Sequence, residues 1–313
     1  MQEPSETDTL LPHHRNNGKN SALKRLLHHL NTPLSTHHTD LILLYCYIIT
    51  GLLDSSAVFI WGSFVSMQTG NTVYLGLGLA SQSSQSTGGG GGGEDDRWIK
   101  SGISIASFCF GSLCFGAFHR TFSPRKRWVL MASFAIQMAC IVCAATIVSL
   151  ERPSKHSPLT WRVSVPLAMV AFQSSGQAVI SRVLKLGGLS SVVLTSVYCD
   201  LFSHAEFLSG VAFRKDVEER RRFGAVVCLL FGAVMGGVWA KSEIGLMGAL
   251  WTAVGLKVVI IVAWLVWRED RGPFRAWQDQ FQLGPMNKLI IPKPYLHFGS
   301  KIFIKFSFPI AKA

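Results

Sequence analysis

Ser66-Met67-Gln68-Thr69-Gly70-Asn71-Thr72 lies just beyond the apolar run Leu41–Trp61. The stretch is too polar and too prone to turn to extend the helix it interrupts. A weaker echo, Val193-Leu194-Thr195-Ser196-Val197, stands about 125 residues further on, after Gly176. Hydrophobic segments broken at corresponding places in two halves of a chain point to a transporter-like binding site. Backbone groups freed inside a bilayer are tolerated only where protein or a water-filled cavity satisfies them.

The chain has 313 residues, is 49% hydrophobic and 15% charged, and has a mean hydropathy of +0.31. Soluble domains carry about 25% charged residues. Charge is missing here from whole blocks: Leu41–Trp61, Ser101–Phe118, Trp128–Leu150, Val163–Ser181, Phe223–Ala240 and Leu246–Trp267. Each is near the length that spans hydrocarbon. The expected fold is therefore all-α, a polytopic transmembrane helix bundle with the lipid bilayer as its first partner. A net charge of +12 could signal nucleic acid. The basic residues instead lie between and beyond the apolar blocks, without an aromatic-plus-basic pattern, so no nucleic-acid partner is expected.

The seven cysteines sit in or beside apolar segments. Cys140-x-x-Cys143 has a metal or redox spacing but lies mid-helix with no second ligand pair, and packing explains it better. No cleavable signal peptide is visible. Residues 1–39, with His13, His14, His28, His29, His37 and His38, read as a disordered cytoplasmic tail. No metal site, cofactor or catalytic residue is expected. Residues 40–270 form the transmembrane domain, with repeat halves of about 41–150 and 163–267. Residues 271–313 form a second cytoplasmic tail, whose apolar stretch Ile302–Ile310 is too short to span.

The halves align. Gly51-Leu52-Leu53-Asp54 corresponds to Gly176-Gln177-Ala178-Val179, the Thr69 segment to the Thr195 segment, and Phe110-Gly111 to Phe231-Gly232. If both broken segments re-enter without crossing, there are six spans. The amino terminus is then inside, and Lys and Arg divide 23 inside against 6 outside. Seven spans would reverse the last tail and the Arg214–Arg222 loop, against the positive-inside rule. Eight spans remain the alternative, although Val73–Ala80 is short for a crossing. Three spans per half would make the repeat inverted.

Gly51-x-x-Asp54 followed by Phe64-Val65-Ser66-Met67-Gln68-Thr69-Gly70-Asn71-Thr72-Val73 resembles the signature of the YoaK-like family of membrane proteins of unknown function. Ala171-Phe172-Gln173-Ser174-Ser175-Gly176-Gln177 through Arg182, then Val193 to Leu201, is similar to the fungal branch of that family. The likeness covers about residues 40–268. It implies a multi-span membrane protein and supplies no substrate. The glycine run Gly88–Gly93 and the tail after Arg271 depart from it, as does Thr195-Ser196 where many relatives resemble Thr-Gly.

Asp54 in the first span and Lys257 in the last are ionisable groups at membrane depth, which cost about 3 kcal/mol on insertion scales unless paired or wetted. An Asp54–Lys257 pair is one expectation, and Asp200–Lys257 its competitor. Thr69, Gly70 and Asn71 offer a hydroxyl, open backbone and an amide that could hold a small polar or anionic solute at a helix start. Asn and Thr are equally ordinary helix caps. Gln68, Gln173 and Gln177 could line the same cavity, with Thr195 and Asp200 from the second half. Arg182 reads as a boundary residue, and His204 and Glu206 as solvated. No zinc-protease motif, nucleophile elbow or phosphate loop occurs. The expected function is a secondary transporter or channel rather than an enzyme, with a membrane scaffold or sensor as the other reading. Either permits a homo-oligomer.

Overall fold

The computed structural model describes residues 17–35, 38–82, 96–123, 125–151, 153, 158–203 and 216–268. The glycine run Gly88–Gly93, His13, His14, His37, His204, Glu206 and the tail after Arg271 lie outside the described residues. Nine α-helices run through the described chain: α1 (Asn17–Asn31), α2 (Thr39–Trp61), α3 (Gln68–Gln82), α4 (Arg97–Thr121), α5 (Arg127–Leu150), α6 (Trp161–Val183), α7 (Leu194–Phe202), α8 (Val217–Lys241) and α9 (Leu246–Val266). Six of them, α2, α4, α5, α6, α8 and α9, are long and apolar enough to cross a membrane. The chain is a multi-pass, all-α integral membrane protein.

Contacts between the ends of these helices fix their directions. Asp40 pairs with Arg221 at 2.9 Å, and Leu34 donates its backbone N–H to Arg125 at 2.9 Å. Ser35 donates to the Arg268 carbonyl at 3.2 Å. The starts of α2, α5 and α8 and the end of α9 therefore share one end, called here the basic end. A cleft of ≈ 200 Å³ between Lys185–Leu189 and Arg221–Arg222 brings the end of α6 there too. At the opposite end, Arg97 Nε donates to the Gly62 carbonyl (2.7 Å), and Leu159 N donates to Asp96 (2.9 Å). Consecutive spans thus alternate in direction, and the described chain starts and finishes at the basic end.

The short helix α3 does not cross. The chain leaves α2 through Gly62, whose left-handed backbone (φ 78°) ends the helix. It then doubles back beside Asp54, two turns inside the α2 terminus. From there α3 runs outward along α4: Gln68 meets Ser104, Leu75 faces Gly102, and Gly78 lies against Trp98. The second break is arranged alike. Ser190 reaches Tyr47 inside α2, and α7 then leads back to Asp200, which faces Arg222 at the basic end. Six spans with two re-entrant half-helices is the observed arrangement, and eight spans is not.

The bundle is held by close helix pairs. α2 packs along α8, α4 along α6, and α5 along α9. A β-carbon at Gly232 would collide with the Ile48 carbonyl, one at Gly51 with the Leu229 carbonyl, and one at Gly111 with Ser175. Backbones this close maximise dispersion and carbonyl contacts where lipid supplies no hydrophobic drive.

One expectation needs correction. The segment 17–35, read as part of a disordered tail, includes the helix α1 and a docked strap. Arg127, fully buried, donates to the His29 carbonyl (2.7 Å), Thr32 Oγ1 (3.3 Å) and the Trp267 carbonyl (2.5 Å). Polar composition hid the docking, because the strap is held by backbone groups and one buried apolar side chain, Leu34, rather than by a continuous apolar face.

Candidate functional site

Asp54 organises the first break. Its Oδ1 accepts from Val65 N (2.8 Å) and Ser66 N (2.9 Å), and its Oδ2 accepts from the Ser66 hydroxyl. Buried carboxylates persist where hydrogen bonds replace the lost water. Asn71, 0% exposed, does the rest. Its Oδ1 accepts from Ser63 Oγ and Phe64 N, both at 3.0 Å. Its Nδ2 donates to the Phe64 carbonyl (2.7 Å), Gln68 Oε1 (2.8 Å) and Ser104 Oγ (3.1 Å). Gly70 makes room for the Phe64 ring, which a β-carbon would meet at 2.7 Å. Asp54, Gln68, Gly70 and Asn71 are thus brought together, but to bind the broken chain itself. Thr69 points away from them and is exposed.

The second break is less saturated. Tyr47 Oη donates to the Ser190 carbonyl at 3.0 Å, filling the place that Asp54 holds in the first half. The hydroxyls of Ser190 and Ser191 are buried and have no partner among the described residues. Thr195 and Ser196 are exposed on α7. Asp200 lies 3.5 Å from Arg222.

Lys257 occupies the middle of α9 and is 0% exposed. Neither expected ion pair forms: Asp54 is taken up by the first break, and Asp200 stands at the basic end. The ammonium instead donates to Gln137 Oε1 (2.5 Å) on α5 and to Gln177 Oε1 (2.8 Å) on α6, and lies 5.1 Å from the centre of the Phe134 ring. Gln177 passes the connection to α2 by donating to the Cys46 carbonyl (3.2 Å). Gln137 passes it towards α4 through Ser133 and His119. Gly176 allows this, since a β-carbon there would meet the Gln137 amide at 2.7 Å.

The polar centre therefore lies where four spans meet, rather than at the motif of the first break. Of the residues singled out in the sequence, Gln177 and Lys257 belong to it. Gln137, Ser133 and His119 were missed. Gln137 carried a signal: it is the lone amide in the apolar block Trp128–Leu150. Gln173 is buried beside Ser174, with its Oε1 unpartnered among the described residues. Arg182 is exposed near the end of α6, and all seven cysteines are free. Among the described residues no group of His, Cys, Asp and Glu could hold a metal ion.

Residues 42–263 match the family model described as a protein of unknown function, DUF1275. No curated protein matches the chain, and no solved structure does.

Proposed function

The chain belongs to the DUF1275 family of unknown function, and on that premise we propose that it is a secondary transporter or channel for a small polar or anionic solute. The observation that carries this reading is Lys257: a cation in the middle of its span held by two amide oxygens and the face of Phe134, with no carboxylate partner among the described residues. An ionisable group so placed marks a solute or ion pathway by default. Gln137 and Gln177 complete the site, and the free hydroxyls of Ser190 and Ser191 would add contacts when the second half-helix moves.

The two halves act as an inverted repeat in this proposal. In the most apolar 18-residue stretch of each span, 67% of the residues of α2 and of α6 are buried, against 22% and 28% in α4 and α8 and 39% and 33% in α5 and α9. The pairing of α2 with α8 mirrors that of α6 with α4, and α5 meets α9 between them. The excess of Lys and Arg at the basic end supports a cytoplasmic orientation for that end and for the amino terminus. The second-half residues favour the fungal branch of the family. Catalysis, cofactors and nucleic acid have no part in the reading. The lipid bilayer is the partner throughout, and exposed apolar rows such as Leu230, Val234 and Val238 on α8 offer a surface to lipid or to a second copy.

The saturated first break favours the second reading, a non-transporting scaffold or sensor. Uptake into proteoliposomes separates the two. The panel is chloride, nitrate, sulfate and phosphate, with glycine and mannitol as net-neutral comparisons, each with and without a pH gradient. The wild type should take up at least one panel solute. Lys257→Met should cut that uptake about ten- to a hundredfold, the worth of one charge-assisted hydrogen bond. No uptake across the panel would leave the scaffold.

A further inference from the structure

We propose that the buried chain His119–Ser133–Gln137–Lys257 is a proton-binding site that holds one excess proton at either of its two ends. The proposal rests on the transport reading for its purpose, since the proton would then be the coupling ion.

Hydrogen-bond direction carries the inference. An ammonium only donates, so the amide end 2.5 Å from Lys257 Nζ is the Gln137 oxygen. Gln137 Nε2 then donates to Ser133 Oγ at 3.4 Å. The Ser133 hydroxyl has one hydrogen, and the acceptor it meets among the described residues is His119 Nε2 at 3.3 Å. In the polarity from which the proposal starts, Ser133 donates, so His119 Nε2 is unprotonated and the neutral ring carries its hydrogen on Nδ1, which is buried with no partner among the described residues. In this arrangement the excess proton sits on Lys257.

The opposite polarity is equally complete. A proton bound at His119 Nε2 makes that nitrogen donate to Ser133 Oγ. The Ser133 hydrogen then turns to Gln137, whose amide must flip to offer its oxygen. The amide nitrogen now faces Lys257, which can accept only as a neutral amine. One N–H bond has broken at Lys257 and one has formed at His119, and the net charge of the chain is unchanged. Protonation at both ends would strand the Ser133 hydrogen and place two cations in one core.

The surroundings fit one charge and no more. Among the described residues, Lys257 has the thiols of Cys46 on α2 and Cys140 on α5 as titratable neighbours, and the ring of His119 is buried against Ser133 and Phe118. His119 lies two residues from the end of α4 at the basic end, whereas Lys257 lies eleven residues from the start of α9. Eleven residues rise about 16 Å, so the chain joins one face of the bundle to its middle.

The test uses the full chain in liposomes, labelled with nitrogen-15 at histidine and lysine and read by solid-state NMR. The signals are assigned by their loss in His119→Asn and Lys257→Met. With Lys257 as an ammonium, His119 should carry its hydrogen on Nδ1. Lys257→Met and Ser133→Ala should each abolish that preference. A wild-type His119 with its hydrogen on Nε2 beside an ammonium Lys257 would overturn the proposal, as would a tautomer indifferent to both substitutions. The readout needs no transported solute. If the tautomer behaves as expected and no panel solute is taken up, the proton site stands and the transport reading fails. If uptake occurs with the wrong tautomer, the reverse holds.

Discussion

Asn71 looks like a ligand residue in the sequence and behaves as a joint in the structure. All its polar capacity is spent on Ser63, Phe64, Gln68 and Ser104. Asn71→Ala should therefore destabilise the fold by about 2–4 kcal/mol, because each orphaned buried group costs about 1–3 kcal/mol. The check is the unfolding midpoint in detergent. A midpoint equal to wild type would mean that the break is held by something other than this amide. Charge pairing is the second residue-scale matter. Asp54 and Lys257 share no hydrogen-bond partner, so Asp54→Asn and Lys257→Met should destabilise independently. Their combination should match the sum within about 0.5 kcal/mol, as for separate sites. Partial rescue in the double variant would restore the ion pair that the two charges, read in sequence, invite. That pair was a reasonable expectation from burial cost alone. It fails because a carboxylate can be satisfied by backbone N–H groups of a nearby break, and pattern alone does not show where that break folds.

At the scale of elements, the half-helices were legible and their fastenings were not. A polar, glycine-containing interruption after an apolar run marks the break at residues 62–67, and the shortness of Val73–Ala80 marks α3 as a non-crossing helix. The partners that hold the breaks come from other turns and other spans: Asp54 for the first, Tyr47 for the second. Periodicity reports which face of a helix is apolar, but not which distant residue completes a hydrogen bond. Glycines were legible as packing residues, and the structure sorts them. Gly232 and Gly111 touch the neighbouring helix, whereas Gly76 and Gly255 have open space beside them. Gly232→Ala and Gly111→Ala should each lower folded yield and thermal midpoint by pushing α8 from α2 and α4 from α6. Gly76→Ala and Gly255→Ala should leave both unchanged or slightly raised, since Ala is the better helix former. Equal damage at all four sites would mean that helix propensity, rather than close approach, sets the effect.

Across the whole molecule, direction is the property on which a transport cycle depends. Three spans in each half, with the first running away from the basic end and the fourth towards it, oppose the two halves. An inverted pair can present one central site to each face in turn by rocking one half against the other. Lys257 is near the middle of its span and so suits such a site, while His119 near the basic end gives it a one-sided connection. By the charge rule, the proposed orientation puts the basic end on the cytoplasmic side. Single cysteines in a background free of the native seven test this directly. In sealed vesicles of the native membrane, cysteines at Ser123 and Glu218, both exposed at the basic end, should react with an impermeant reagent only from the cytoplasmic side. Cysteines at Thr160 and Ser242, exposed at the opposite end, should react only from the other side. If Ser123 and Glu218 label from opposite sides, one break crosses the membrane, the halves are no longer opposed, and a central site with alternating access loses its geometric basis.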